Sequence, residues 1–390
     1  LVSTLALVAC GGSEDSGGSS GGSSGNGGTY GSGGSATGGT GGNTGGAAGD
    51  GNGGSGGGSG GTPGLVPMFV AQGHMGRTTL SCDDGQTWIE NKSDDDSVIC
   101  FDGTDCDHNP GAANGITWHD DAFFATFGWG SPPGEVRRSL DGISWDPVLT
   151  GTTFGDIAAG MGKVMGAARQ PQASDNQGDT WTELDYLDIG DIYNIREAAF
   201  ADYQTGRFVF AGNDGDNRVI AVSSDGLTFS APSFPADCDV SFYRTGGIAF
   251  GNGAILITSS GVNACRSTDG GDTWQTVDIG TGFDSLLLFT GSEFVGWGGG
   301  KKWSSSDGAT WTSVDTSPTS VVLGAVAVSD QGTFVGVSGA WGQDYENQRF
   351  YRSTDGVSWT EVPSGNFTGS HPIVDIAFGH ANPSASCPAN

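Results

Sequence analysis

Histidine changes charge near neutral pH and also ligates metals, so the five histidines come first. His74, His108, His119, His371 and His380 are scattered singly. An isolated histidine is usually structural or simply exposed. Should His74 and His371 converge in space, a general-base or zinc role would open to them. Asp214 and Asp216, in the run Asn213-Asp214-Gly215-Asp216-Asn217, offer oxygens suited to calcium. Calcium takes six to eight oxygens, however, and the spaced acidic series ending in Glu is missing. Beyond that calcium possibility the sequence implies no cofactor. Arg77, Tyr345 and Glu346 are the catalytic candidates, and no order or spacing fixes their roles. Two G-x-S-x-G matches, Gly21–Gly25 and Gly57–Gly61, have no strand before them and no helix after, so neither is a nucleophile elbow. Gly296–Lys302, GWGGGKK, lacks the spacing and the Ser or Thr of a phosphate loop.

The elements that must position such residues begin at about residue 65. Before them, residues 11–64 are mostly Gly, with Ser, Thr, Asn and Ala making up nearly all the rest. Such a stretch cannot bury enough apolar surface to offset its ordering entropy, so a disordered tether is expected, spanning about 40 Å in root-mean-square length. Residues 1–10, LVSTLALVAC, are an apolar run closing on a cysteine. Three domains follow: 1–10, 11–64 and 65–390. The chain carries 15 basic and 44 acidic side chains, a formal net charge of −29. That surface repels phosphate backbones and anionic headgroups, which excludes nucleic acid and electrostatic membrane binding as functions.

Residues 65–390 repeat one sentence: Ser-x-Asp, a glycine, Thr or Ser, then an aromatic. The acidic place is held by Asp83, Asp141, Asn176, Asp225, Asp269, Asp307 and Asp355, and the aromatics stand at 88, 145, 181, 229, 274, 311 and 359. In the fourth and sixth copies the sentence is read from Ser224 and Ser306. The mean period of about 45 residues suits a four-stranded propeller blade. A carboxylate opening a tight turn accepts hydrogen bonds from that turn's amides, glycine supplies positive φ, and the ring packs beneath. The Asp is therefore architectural. Arg138, Arg266 and Arg352, each directly before the box Ser, are read as parts of the blade.

The repeat resembles the Asp-box, or BNR, repeat of sialidase-like β-propellers, and LVAC followed by Gly-Gly-Ser resembles the end of a bacterial lipoprotein signal peptide. The first resemblance implies an all-β fold, a seven-bladed propeller of four-stranded blades. The second implies lipid attachment at Cys10 and an extracytoplasmic place in the bacterial envelope, on the outer membrane or cell surface, held by lipid alone. The first unit shows only three strand-like runs before Trp88 is passed. Ile373–Gly379, matching the first strand of other units, is expected to complete it and close the ring.

Six cysteines remain beside Cys10, an even number that fits an oxidising compartment. Cys100 with Cys106, Cys238 with Cys265 and Cys82 with Cys387 is the favoured set among fifteen connectivities. Loops between second and third strands, and between blades, share one face. Its candidate ligand-binding residues are His74, Arg77, Trp129, Arg169, Trp341, Asp344, Tyr345, Arg349 and His371. The resulting expectation is a monomeric, membrane-tethered propeller recognising a glycan or an envelope or extracellular protein. The alternative is a sialidase-like glycoside hydrolase with an atypical site, since the family's arginine, tyrosine and acid/base set does not carry over residue by residue.

Overall fold

The structure, a computed structural model, describes residues 48–49, 64–92, 111–128, 134–189, 194–214, 217–238, 240, 247–258, 263–281, 283, 286–338, 348–363 and 371–389. Seven antiparallel sheets stand in a ring, as the repeat predicted. Blade 1 is Ile373–Ala381, Val66–Gly73, Thr78–Ser81 and Ile89–Lys92; blade 2 is Ala113–His119, Ala122–Phe127, Glu135–Ser139 and Asp146–Thr150; blade 3 is Asp156–Gly160, Lys163–Ala167, Gln172–Ser174 and Thr182–Glu183. Blade 4 is Ile195–Ala201, Arg207–Asp214 and Asn217–Ser223, its fourth place taken by a bridge from Ser230 to Val222. Blade 5 is Ile248–Gly251, Ala254–Ile257, Asn263–Ser267 and Gln275–Asp278. Blade 6 is Leu287–Phe289, Phe294–Gly298, Lys301–Ser305 and Thr312–Asp315, and blade 7 is Leu323–Val328, Phe334–Ser338, Phe350–Ser353 and Thr360–Glu361.

Burial falls from the axis outward, and the sequence follows it. Inner strands such as Leu323–Val328 are continuously apolar and buried, whereas outer strands such as Thr312–Asp315 are polar and exposed. The C-terminal strand pairs with the N-terminal one, Phe69 opposite Phe378 and Ala71 opposite Ile376. Closure therefore follows the expected route. Within the stretch read as tether, Ala48–Gly49 forms a short antiparallel ladder on the inner strand of blade 5, a pairing its Gly-Ala sequence gives no sign of.

The core is divided into seven apolar clusters, each lying at a junction between consecutive blades. Every closing aromatic of the repeat enters one of them. Trp88 stacks on Phe350 of blade 7 with centroids 3.8 Å apart, and Trp181 packs with Phe124 and Val136 of blade 2. The ring packs beneath its own turn, as the Trp181, Trp274, Trp311 and Trp359 indoles show by donating to the turn's glycine carbonyl, and it also wedges against the preceding blade.

The turns are built as the repeat implied. Asp83 Oδ1 accepts from the amides of Gln86 and Thr87 at 3.0 and 2.9 Å, and Ser81 Oγ accepts from the Gly85 amide at 3.0 Å. Asn176 does the same work through Oδ1, taking the Thr180 amide at 3.0 Å. The working serines of the fourth and sixth copies are Ser223 and Ser305, not their neighbours Ser224 and Ser306. Ser223 and Ser305 accept the Gly226 and Gly308 amides at 2.9 and 2.8 Å. Two adjacent serines made the frame ambiguous in sequence, and only the hydroxyl two residues before the Asp reaches the turn.

Basic side chains fasten several of these turns from the blade before. Arg138 Nη1 donates to Gln177 O and to Asp179, Arg266 Nε donates to Asp307 O, and Lys302 Nζ donates to Asp355 O. The chain is also stapled by disulfides Cys82–Cys387 and Cys238–Cys265, two of the three favoured pairs. Cys100 and Cys106 lie outside the described residues, as do Cys10, Trp129, Asp216, Trp341, Asp344, Tyr345 and Glu346.

Candidate functional site

Second-to-third-strand turns and blade-to-blade connections come out together on one face, opposite the Asp-bearing turns. One place on it, and a second where the connection from blade 6 meets the Asp-bearing turn of blade 7, gather chemistry-bearing residues.

The first is the summit of blade 1. His74–Gly76 forms a single 3-10 turn with Met75 at φ 59°. The His74 amide donates to Pro372 O at 3.0 Å, and Arg77 donates through Nη1 to His371 O. His74 Nδ1 accepts the Ala113 amide of blade 2 at 3.0 Å, which places its ring proton on Nε2. Blade 7 ties in through Gln348, which accepts from the Ile373 amide at 2.8 Å and donates to Ile373 O at 2.9 Å. His74 and His371 therefore do meet. They do so beside the ends of adjacent strands of one blade, because the strand that follows His371 belongs to blade 1.

This cluster is covered: His74, Arg77 and His371 are 4, 2 and 2% exposed. Burial, helped by the nearby His371, pushes the His74 pKa down to about 3. Burial also lowers Arg77 to about 10. His74 is thus a neutral hydrogen-bond acceptor at working pH. Arg169 is half-buried, and its carbonyl receives the Leu187 amide at 2.8 Å. Arg349 pairs with Glu361 at 3.1 Å. Asp214 sits opposite Asn217 at a hairpin end.

The second place was not foreseen. A cavity of about 290 Å³ opens between blades 6 and 7, walled by Trp297, Trp359, Val321, Val322 and Leu323, with Gly298–Lys301 and Thr316 completing it. Gly299 and Gly300, at φ 60° and 72°, make the two-residue hairpin turn that needs positive φ twice. A side chain on Gly300 would meet Thr319 O at 2.7 Å, so the connection over the turn depends on that glycine. Thr316 donates its amide to Gly300 O at 2.8 Å, the Ser317 amide donates to Val357 O at 2.9 Å, and Ser317 O accepts the Trp359 amide at 2.8 Å. Both indoles donate to one carbonyl, Gly356 O, from Trp297 at 2.7 Å and from Trp359 at 3.1 Å, with rings 75° apart. Their N–H groups are spent on that carbonyl, and both residues border the cavity. Val322 at its mouth is 52% exposed.

The Gly-rich run rejected as a phosphate loop is the hairpin that shapes this cavity. No sequence signal pointed to it, because its walls come from three separated segments, and the two indoles meet only once blades 6 and 7 pack.

The fold defines a seven-bladed β-propeller with a loop face and a turn face. No known protein family matches the chain, and no curated protein matches it in sequence. Among solved structures, a protein from Lactobacillus plantarum is similar at 11% identity and TM-score 0.50, over 81% of this chain and 99% of that one. YCF48 from Cyanidioschyzon merolae is similar at 16% identity and TM-score 0.43, over 62 and 81%. A streptogramin B lyase is similar at 16% identity and TM-score 0.45, over 65 and 83%. At such identities the likeness concerns fold alone.

Proposed function

We propose that the chain is a binding propeller of the bacterial envelope, tethered through Cys10 and its Gly-rich stretch, that recognises a glycan or protein partner with its loop face. The observation that carries this reading is the cavity between blades 6 and 7. Concave, largely apolar sites with rigid walls are where propeller-sized domains hold ligands. The polar groups of the Asp-type turns are occupied by hydrogen bonds of the turns themselves, and the blade 7 turn also holds the connection from blade 6. The two disulfides support an oxidising compartment, and the strong negative charge supports an unassisted surface that stays soluble.

The test immobilises the full chain and measures retention of an arrayed glycan panel and of envelope proteins. Val322→Gln on the loop face should abolish retention of any specific partner, while Leu140→Gln on the turn face, 44% exposed, should not. Equal loss in both variants, or in neither, defeats the loop-face reading. Attachment is checked separately: Cys10→Ser should stop uptake of labelled palmitate and release the protein from membranes.

A further inference from the structure

The ring has an inner rim as well as two faces, and a segment of the Gly-rich stretch is paired to it. We propose that the axial edge of blade 5 is a strand-docking site whose occupant is the chain's own segment at Ala48–Gly49, which plugs the central channel.

Main-chain geometry carries the proposal. The inner strand of blade 5, Ile248–Gly251, spends one edge on Ala254–Ile257, with Ile248 opposite Ile257 and Gly251 opposite Ala254. Its other edge faces the ring axis, and there Ala48 pairs antiparallel with Phe250 and Gly49 with Ala249. The same two residues lie against Ile195–Ala201 and Leu287–Phe289, the inner strands of blades 4 and 6. Three blades therefore flank the segment. An open strand edge is a template for one more extended chain, and here the protein supplies that chain itself.

Composition explains why this segment is the one that docks. In residues 11–64, Ala47-Ala48 is the one place where two apolar side chains other than glycine are adjacent. Alanine and glycine are also the smallest residues, as a close approach between backbones near an axis requires. Charge acts in the same direction. The inner strands carry the buried carboxylates Asp156, Glu197 and Asp375. An acidic segment entering between such strands is repelled, whereas residues 16–49 contain no charged side chain.

A ladder of two residues is too short to hold a separate peptide, so the connection must supply the rest. Both its ends lie toward the turn face: Ala48 pairs with Phe250, beside the Asn252–Gly253 hairpin, and Val66 begins opposite Ala381. Residues 50–64 join them, a stretch with a root-mean-square span of about 20 Å. A flexible connection of that length keeps the segment at an effective concentration in the millimolar range. The docking is independent of what the loop face binds. Anything entering the channel from the turn face must first displace Ala48–Gly49.

Hydrogen exchange of the full chain, read by mass spectrometry, tests this. Amides of residues 47–50 should exchange at least ten-fold slower than those of residues 34–41, a Gly, Ser, Thr and Ala run of the same stretch. A double variant, Ala48→Pro with Gly49→Pro, removes both main-chain donors of the ladder while leaving every blade sequence intact. In it, Ile248–Gly251 should exchange at least three-fold faster than in the wild-type chain, and Leu323–Val328 of blade 7 should not change. Equal exchange of residues 47–50 and 34–41 in the wild-type chain overturns the proposal. So does a double variant in which Ile248–Gly251 exchanges at the wild-type rate, or in which both inner strands quicken alike.

Discussion

Arg352 of blade 7 grips Asp84 in the first turn of blade 1, donating through Nη2 to Oδ2 at 2.6 Å and through Nε to the main-chain oxygen at 2.7 Å. Ser329 and Thr333 of blade 7 donate to the same carboxylate at 2.7 and 2.6 Å. One aspartate thus collects three side chains of the neighbouring blade across the ring's seam. Asp84→Ala should cost about 2 to 4 kcal/mol, since it leaves a half-buried guanidinium and two hydroxyls without their acceptor. Urea denaturation reads the loss. A double variant with Arg352→Met should recover part of it, and full additivity would deny the coupling.

Packing and backbone strain at the turn glycines are separable. Gly85 has φ 80° and a side chain there would meet Val335 of blade 7 at 2.4 Å, whereas Gly253 has φ 77° and open space around it. Both alanine variants carry the positive-φ cost of about 1 to 2 kcal/mol. Gly85→Ala adds overpacking of about 1 to 3 kcal/mol. Equal midpoints in urea would contradict the packing of this turn against the preceding blade.

Asn176 shows that the turn needs an acceptor oxygen rather than a charge. Asp355→Asn should therefore be nearly neutral at pH 7, within about 1 kcal/mol, and Asp355→Ala should lose more, because the Val357 and Ser358 amides at 2.8 and 2.7 Å lose their acceptor. Burial raises the Asp355 pKa, but the Ser358 and Val357 amides outweigh it and bring it to about 2. The wild-type turn is thus fully stabilised above the ordinary carboxylate range and weakens as pH falls toward 2. Thermal melts at pH 7 and about pH 2.5 should show that the asparagine variant lacks this acid-sensitive increment.

His74 gives a second acid limb with a different window. The fold holds it at about 3, below the usual 6.5, so between those values the unfolded chain takes up a proton that the native chain refuses. Stability is complete above about pH 6.5 and declines as pH falls toward 3. His74→Gln should flatten the urea midpoint between about pH 6.5 and pH 4. An unchanged slope would mean that burial does not hold the imidazole neutral.

The Cys82–Cys387 bond fastens the C-terminal tail to blade 1, across a sequence separation of 305 residues. Replacing both cysteines with alanine should cost about 2 to 5 kcal/mol. Hydrogen exchange should quicken first in Ile373–Ala381. Uniform acceleration across all blades would show the bond acting only on the unfolded chain.

The architecture was legible because the repeat carries its own punctuation. Each unit advertises a turn, a glycine and an aromatic, and Ile373–Gly379 reads as a first strand without its blade. The frame of the fourth and sixth turns was not legible, since Ser223-Ser224 and Ser305-Ser306 offer two serines for one place. The closing contact at Asp84 was hidden for a different reason: its partners, Ser329, Thr333 and Arg352, lie some 250 residues away. The cavity between blades 6 and 7 escaped because an apolar pocket leaves no motif; Trp297, Val322 and Trp359 each look like ordinary blade residues until the junction forms. His74 and His371 were suspected of meeting, but sequence could not say that they would do so beneath the surface.

Because Ile373–Ala381 supplies the innermost strand of the very first blade, a polypeptide delivered amino end first, whether from a ribosome or through a membrane pore, cannot finish its circle until that last segment arrives. Until then the inner strands of blades 2 and 7, which pack against it, lack their shared neighbour. Such a molecule folds as a latch does, its final stretch deciding whether all preceding ones are held.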